Sequence, residues 1–225
     1  GIVNPDFDSQ LLWGAGIVCF NSSPSITHNI ITGNNSIAHV ANDLASYGGG
    51  IGCFSSDAII SNNIIKDNSA AAGGGIMNYF GGTIITNNVI SDNSGYIGGG
   101  VVLLGGNLIN NTITDNDADL AGGGQVGNVY AIYEEGYYES LVINNIICNA
   151  KSGGGVYFDY SNSSDSTDLN KFRYNNVWNN QPQNYIDSST GMTGINGNIS
   201  QNPQFVDAYH IGKTSPCYDK GDPNY

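Results

Sequence analysis

The chain has 225 residues, 40% hydrophobic and only 11% charged, with a formal charge of −13 from 19 Asp and Glu against 6 Lys and Arg. That balance leaves no basic surface for a nucleic-acid or anionic-membrane partner, and no apolar stretch reaches the roughly 20 residues of a membrane span. Gly and Asn each occur 32 times; both tolerate left-handed backbone and disfavour helix interiors, so the chain must turn often and helices are not its main element.

In chain order, the opening Gly1-Ile2-Val3-Asn4-Pro5 lacks the basic start and apolar core of an export signal, so any such signal is expected to be already gone. A degenerate glycine motif follows at Gly14-Ala15-Gly16-Ile17. Full triplets then recur at Gly48-Gly49-Gly50-Ile51, Gly73-Gly74-Gly75-Ile76 and Gly98-Gly99-Gly100-Val101, 25 residues apart each time, and at Gly122-Gly123-Gly124-Gln125 and Gly153-Gly154-Gly155-Val156, at spacings of 24 and 31. After each comes an Asn pair in a β-branched run, as in Ile59-Ile60-Ser61-Asn62-Asn63-Ile64-Ile65 and Ile84-Ile85-Thr86-Asn87-Asn88-Val89-Ile90. Related runs hold His28-Asn29, Asn110-Asn111, Asn144-Asn145 and Asn175-Asn176. Strands this short and this regular do not fit hairpins. They fit a chain that coils, each strand pairing with its copy in the next repeat, a parallel β-solenoid.

Stacking at about 4.8 Å turns each repeat position into a column. Ile31, Ile65, Ile90, Ile113, Ile147 and Trp178 make an apolar interior column. Asn29, Asn63, Asn88, Asn111, Asn145 and Asn176 make an amide ladder that satisfies turn backbone.

On these residues the chain resembles the right-handed parallel β-helix repeat proteins, a superfamily of pectate-lyase-like enzymes and many secreted surface proteins. The resemblance covers residues 14–200 and implies an all-β, single-stranded right-handed parallel β-helix of about seven coils within one domain, 1–225. The segment Asn198-Ile199-Ser200-Gln201-Asn202-Pro203-Gln204-Phe205-Val206-Asp207, with Tyr209-His210-Ile211 and Ser215-Pro216-Cys217-Tyr218-Asp219-Lys220-Gly221-Asp222-Pro223, is similar to the closing segment of bacterial and archaeal cell-surface β-helix proteins, which often precedes or replaces a surface anchor. Cys217 departs from the small residue usual there. The longest insertions, residues 35–47, 127–140 and 159–171, are expected to emerge as surface loops.

The second insertion carries the most distinctive chemistry: Tyr133, Glu134, Glu135, Tyr137, Tyr138 and Glu139 combine rings that lie against sugars with carboxylates that bond hydroxyls or Ca²⁺, a candidate glycan-binding patch. The competing expectation is a Tyr-rich loop packed on the solenoid or a neighbouring subunit. The resemblance to lyases implies a cationic base. The only Arg is Arg173, assigned to the column of Ile60, Ile85 and Val142, and it shares a face with Lys171 near Asp168. These two, with Glu134 and Glu135, are the catalytic candidates, against the plainer expectation of a surface ion pair. Asp67, Asp92 and Asp115 occupy one repeat position and form an acidic stripe, either solvated or binding Ca²⁺. His28, His39 and His210 share no metal spacing, and no phosphate loop, dinucleotide fingerprint or Gly-x-Ser-x-Gly elbow occurs.

Cys19 and Cys53 sit identically in Gly-Ile-x-Cys-Phe and should stack within disulfide reach or remain paired thiols. The even cysteine count also allows Cys148 to tie to Cys217. The first repeat begins close to Gly1, so the solenoid end is expected either to pair head to tail with another subunit or to be capped, by Leu11-Leu12-Trp13 or by a part of the protein removed from this chain. The sequence thus points to an extracellular or cell-surface structural or adhesive solenoid that self-associates through its ends or flanks. The alternative is a polysaccharide-binding or polysaccharide-degrading module, without a cofactor other than Ca²⁺.

Overall fold

The structure, a computed structural model, describes residues 12–14, 16–36, 46–118, 126–134, 136–159, 170–187 and 191–225. The fold is all-β and β-helix-like. Its strands form four parallel ladders in which each strand pairs with the strand one repeat away. The first ladder holds Leu12–Trp13, Ser46–Tyr47, Ser69–Ala72 and Ser94–Ile97. The second holds Ile17–Phe20, Ile51–Phe54, Ile76–Tyr79, Val101–Leu104, Val129–Glu134 and Val156–Asp159. The third runs from Ser25–Thr27 through Ile59–Ser61, Ile84–Thr86, Gly106–Ile109 and Tyr138–Ile143 to Phe172–Arg173. The fourth runs from Ile30–Thr32 through Ile64–Lys66, Val89–Ser91, Thr112–Thr114 and Ile146–Cys148 to Asn176–Trp178.

Three-residue strands point one side chain inward and two outward. In the fourth ladder the inward residue is Ile31, Ile65, Ile90, Ile113, Ile147 and Val177, in register and buried throughout. In the third it is Ile26, Ile60, Ile85, Leu108, Val142 and Phe172. At about 1.5–3 kcal/mol for each fully buried aliphatic side chain, these columns are the main driving force of the fold.

Each coil turns its corners on single left-handed residues. One corner is Asn62, Asn87, Asn110 and Asn144, the next is Asp67, Asp92, Asp115 and Asn149, and a third is Gly48, Gly73 and Gly98, all with positive φ. In the pairs Asn62-Asn63, Asn87-Asn88, Asn110-Asn111 and Asn144-Asn145 the first member therefore makes the turn. The second points inward and becomes a rung: the amide of Asn63 donates to Asn88 Oδ1 at 3.0 Å, Asn88 to Asn111 at 3.1 Å, Asn111 to Asn145 at 3.1 Å and Asn145 to Asn175 at 3.0 Å. Asn29 begins this ladder and Asn198 ends it.

The last coil differs from the sequence-based assignment by one residue. Asn175, not Asn176, is the rung; Val177, not Trp178, fills the interior column; and Phe172 pairs with Val142, which puts Arg173 beside Ile143 instead of in the aliphatic column. The cause is Tyr174, which occupies the left-handed corner at φ 54° where earlier coils use Asn. An alignment on the visible Asn pair therefore counts one residue late.

A second amide ladder follows the Asp corners. Asn34 donates to Asn68 at 2.9 Å, Asn68 to Asn93 at 3.0 Å and Asn93 to Asn116 at 3.0 Å. The third glycine of each triplet makes room for it: a Cβ on Gly75 would meet Gly100 O at 2.6 Å and Asn93 Nδ2 at 3.0 Å. The following coil exchanges these two roles. Where a ladder Asn would stand there is Ala150, and where the third glycine would stand there is Asn128, whose amide bridges Asn116 and Asn180 at 2.8 Å on each side. The triplet Gly122–Gly124 lies outside the described residues; the turn in register with Gly99-Gly100 is Gly127-Asn128.

One further segment departs from expectation. Residues 127–140 are not a loop: the second- and third-ladder strands extend beyond the coil and pair antiparallel, Tyr133 with Glu139 and Glu134 with Tyr138, as a projecting hairpin that joins the two ladders into one sheet. Leu12–Trp13 extends the first ladder beside Ser46–Tyr47; Leu11 is outside the described residues. Among the described residues no helix is long and apolar enough to cross a membrane.

Candidate functional site

The hairpin divides the residues expected to contact a glycan. Tyr133 is 5% exposed and belongs to the core, with the Lys171 ammonium 5.0 Å from its ring centroid, so its face is not offered to a ligand. Tyr137 is 69% exposed and Glu139 is exposed; Glu134 is half-buried, Glu135 is outside the described residues, and of Tyr138 only the strand pairing is described. Tyr137 and Glu139 wall a cleft of about 400 Å³ whose floor is Gly81, Gly82, Gly105, Gly106 and Asn107. Gly81 and Gly82 are exposed and bring no side chain to this surface, and Tyr137 and Glu139 add a ring and a carboxylate, the groups that hold a sugar ring and its hydroxyls.

Other aromatic residues are scaffold. Phe20 and Phe54 stack at 5.1 Å with planes 3° apart, and Phe54 and Tyr79 at 5.4 Å and 12°, so both faces of the Phe54 ring are covered by its neighbours. Tyr130 and Tyr157 stack likewise at 4.8 Å.

The acidic stripe meets lysines. Lys66 Nζ lies 3.4 Å from Asp67, Lys151 Nζ 2.8 Å from Asp92, and the Thr114 hydroxyl donates to Asp115 at 2.7 Å. The hydrogen bond to Asp92 raises the Lys151 ammonium pKa. Among the described residues no group of three His, Cys, Asp or Glu side chains is placed to hold a metal ion. Arg173 and Lys171 flank Phe172 and face outward, but they do not converge on an open site: Lys171 covers Tyr133, and Arg173 Nε donates to Asp222 at 2.8 Å with the Tyr225 ring 5.3 Å away. Asp168 and His39 lie outside the described residues. His28 is an exposed corner residue and His210 pairs with Asp207 at 2.8 Å. The backbone N–H groups of Tyr209 and His210, with the His210 ring, hold the Asp207 carboxyl down at about 2.

Cys19 and Cys53 are register partners as expected, and all four cysteines are free thiols in this structure. The Cys19 pKa is lowered by the hydrogen bond it receives from Cys53, whose own pKa is raised by that bond and by burial. Burial pushes the Cys148 thiol up to about 12; its sulfur lies 3.4 Å from Thr114 Oγ1. Cys217, half-buried, accepts a hydrogen bond from Asn176 at 3.0 Å.

The feature that the sequence did not reveal is what residues 201–225 build. They fold back along the flank of the stacked ladders. Asn176 exchanges hydrogen bonds with Gln201, the Ser215 hydroxyl donates to Pro203 O, Tyr209 OH reaches Ser91 Oγ at 3.2 Å, and Asp222 N donates to Asn144 Oδ1 at 2.7 Å. Asp222 is 6% exposed, and the hydrogen bond from Arg173 lowers its pKa. Between this tail and the flank runs a groove of about 710 Å³, lined by corner amides of the coils on one side and by Tyr209, His210, Asp219 and Lys220 on the other. The sequence marked this tail only by its likeness to a closing segment, which does not say where it docks.

Compared with family models, with curated proteins and with solved structures, the chain has no match in any of the three.

Proposed function

We propose that the chain is a right-handed parallel β-helix, one domain with coils over residues 14–200, that works outside the cell as a structural or adhesive element of the cell surface. The observation that carries this reading is the pair of amide ladders, which tie successive coils together by buried hydrogen bonds as the isoleucine columns do by packing. Nearly all of the conformational specificity of the chain is spent on repeating one coil, which suits a rod that bears load or spaces a ligand from a surface. The right hand follows from the strong preference of parallel strand connections. Antibody labelling of intact cells that make the protein, together with electron microscopy of the purified chain, tests the reading. Surface labelling and rods or ordered fibres are expected. Labelling only after permeabilisation would remove the surface role.

A second reading, a polysaccharide-binding module, is favoured by the glycine-floored cleft beside Tyr137 and Glu139. Retention on an immobilised glycan that is lost in Tyr137→Ala is the expected result, and equal retention of the two proteins would count against it.

A further inference from the structure

We infer that the groove between the C-terminal tail and the solenoid flank is a binding site for a short neutral oligosaccharide. The inference rests on the polysaccharide-binding reading but moves the principal contact from the hairpin to a site that the tail completes.

The coils supply one wall. Asn110 and Asn144 are successive corner residues, so their side chains project outward one above the other. Asn144 Oδ1 is used by the tail, accepting from Asp222 N at 2.7 Å, and Gly221 lies so close that a Cβ there would be 3.1 Å from the Asn144 amide. The tail is thereby clipped to the flank at one coil, while the amide of Asn110, one coil below, makes no hydrogen bond among the described residues and lines the groove.

The tail supplies the other wall. Asp219 and Lys220 line the groove next to the clip, and their side chains too have no partner among the described residues. Thr112 and Ile146 are outward residues of the fourth ladder and contribute floor, and Tyr174, its ring resting on Gly197, contributes an aromatic edge. An amide, a carboxylate and an ammonium around a partly apolar floor are the groups that bond vicinal hydroxyls while an apolar sugar face is buried. The volume of about 710 Å³ lies within the ordinary range of small-molecule sites and exceeds that of the hairpin cleft.

Charge selects a neutral sugar. Arg173 is neutralised by Asp222, and Asp219 offsets Lys220, so the groove carries no net cation for a uronate. The −13 charge of the whole chain repels an anionic glycan further.

The full chain titrated with cellotriose, laminaritriose, maltotriose and mannotriose, followed by ¹H–¹⁵N spectra and calorimetry, tests the site. One of these sugars should shift the Asn110 side-chain amide, and its affinity should fall about tenfold in Asn110→Ala and in Lys220→Ala. Val206→Ala, on an exposed tail residue outside the groove, should bind as the parent does. Circular dichroism melts unchanged from the parent certify that the variants fold. Shifts confined to Gly81, Gly105 and Tyr137, with Asn110→Ala binding normally, would overturn this site and leave the hairpin reading standing. No shift with any of the four sugars would overturn both.

Discussion

Asn88→Ala removes an internal rung of the first amide ladder. Asn88 is 1% exposed; its Oδ1 accepts both the backbone N–H and the side-chain amide of Asn63 at 3.0 Å, and its own amide donates to Ile60 O at 2.9 Å, Thr86 O at 3.0 Å and Asn111 Oδ1 at 3.1 Å. Truncation leaves the Asn63 backbone N–H without its Oδ1 acceptor and its side-chain amide with Ile26 O alone. At about 1–3 kcal/mol for each buried donor left unmade, the expected loss is about 4 kcal/mol. The control is the adjacent Asn62→Ala, which leaves the ladder intact and costs only the left-handed corner at φ 57°, about 1–2 kcal/mol. Both are read from urea unfolding followed by circular dichroism, with equal m-values required before the midpoints are compared. If Asn88→Ala costs no more than Asn62→Ala, the ladder is ornamental and the energetic account of the coils is wrong.

The exchanged pair gives a second test: Asn128→Gly and Ala150→Asn should each destabilise, and the double variant should recover most of the loss, with a coupling of about 1–3 kcal/mol in a double-mutant cycle. Gly75→Ala places a methyl 2.6 Å from Gly100 O and should cost about 1–3 kcal/mol or more in thermal or urea unfolding. The Asp222 carboxyl, depressed by Arg173, contributes to tail docking above the ordinary carboxylate pKa of about 3.9, and the contribution is lost as pH falls through its lower folded value. Limited proteolysis of residues 201–225 should therefore accelerate only in acid, whereas Asp222→Asn should expose the tail at neutral pH. Alkylation of the native protein with iodoacetamide, read by peptide mass spectrometry, should modify half-buried Cys217 first and spare Cys19, Cys53 and Cys148; prior labelling of Cys148 would contradict its burial and raised pKa.

The interior was largely legible where neighbouring repeats are alike. Ile65 stands over Ile90 and Asn63 over Asn88, as the 25-residue spacing requires, and Cys19 stands over Cys53 because both hold the same place in Gly-Ile-x-Cys-Phe; parallel pairing carries such repetition directly into vertical contact. Legibility failed where a position changed its residue type without changing its backbone. Tyr174 can hold a left-handed corner when packing enforces it, so the register of Phe172–Trp178 could not be read from the Asn pair. Asn128 stands in for the amide absent at Ala150 from a different turn of the coil, a contact across space with no spacing rule. The Asn residues after the Asp corners were visible, yet their role as a second ladder depended on the glycines opposite them.

The candidate sites divide in the same way. Composition alone excluded a basic partner surface, and the Tyr and Glu content of residues 128–139 marked that segment as special. Which of its side chains reach solvent depended on the hairpin, which buries Tyr133 in its strand and exposes Tyr137 in its turn. The tail groove has no sequence signature because its walls are Asn110 and Lys220, more than a hundred residues apart, brought together by the Asp222 contacts to Asn144 and Arg173. By itself the sequence determined the coil, since short-range periodicity and hydrophobic burial act on every repeat alike. Only the tertiary structure decided where the non-repeating segments dock, since docking is set by single polar contacts that no period constrains.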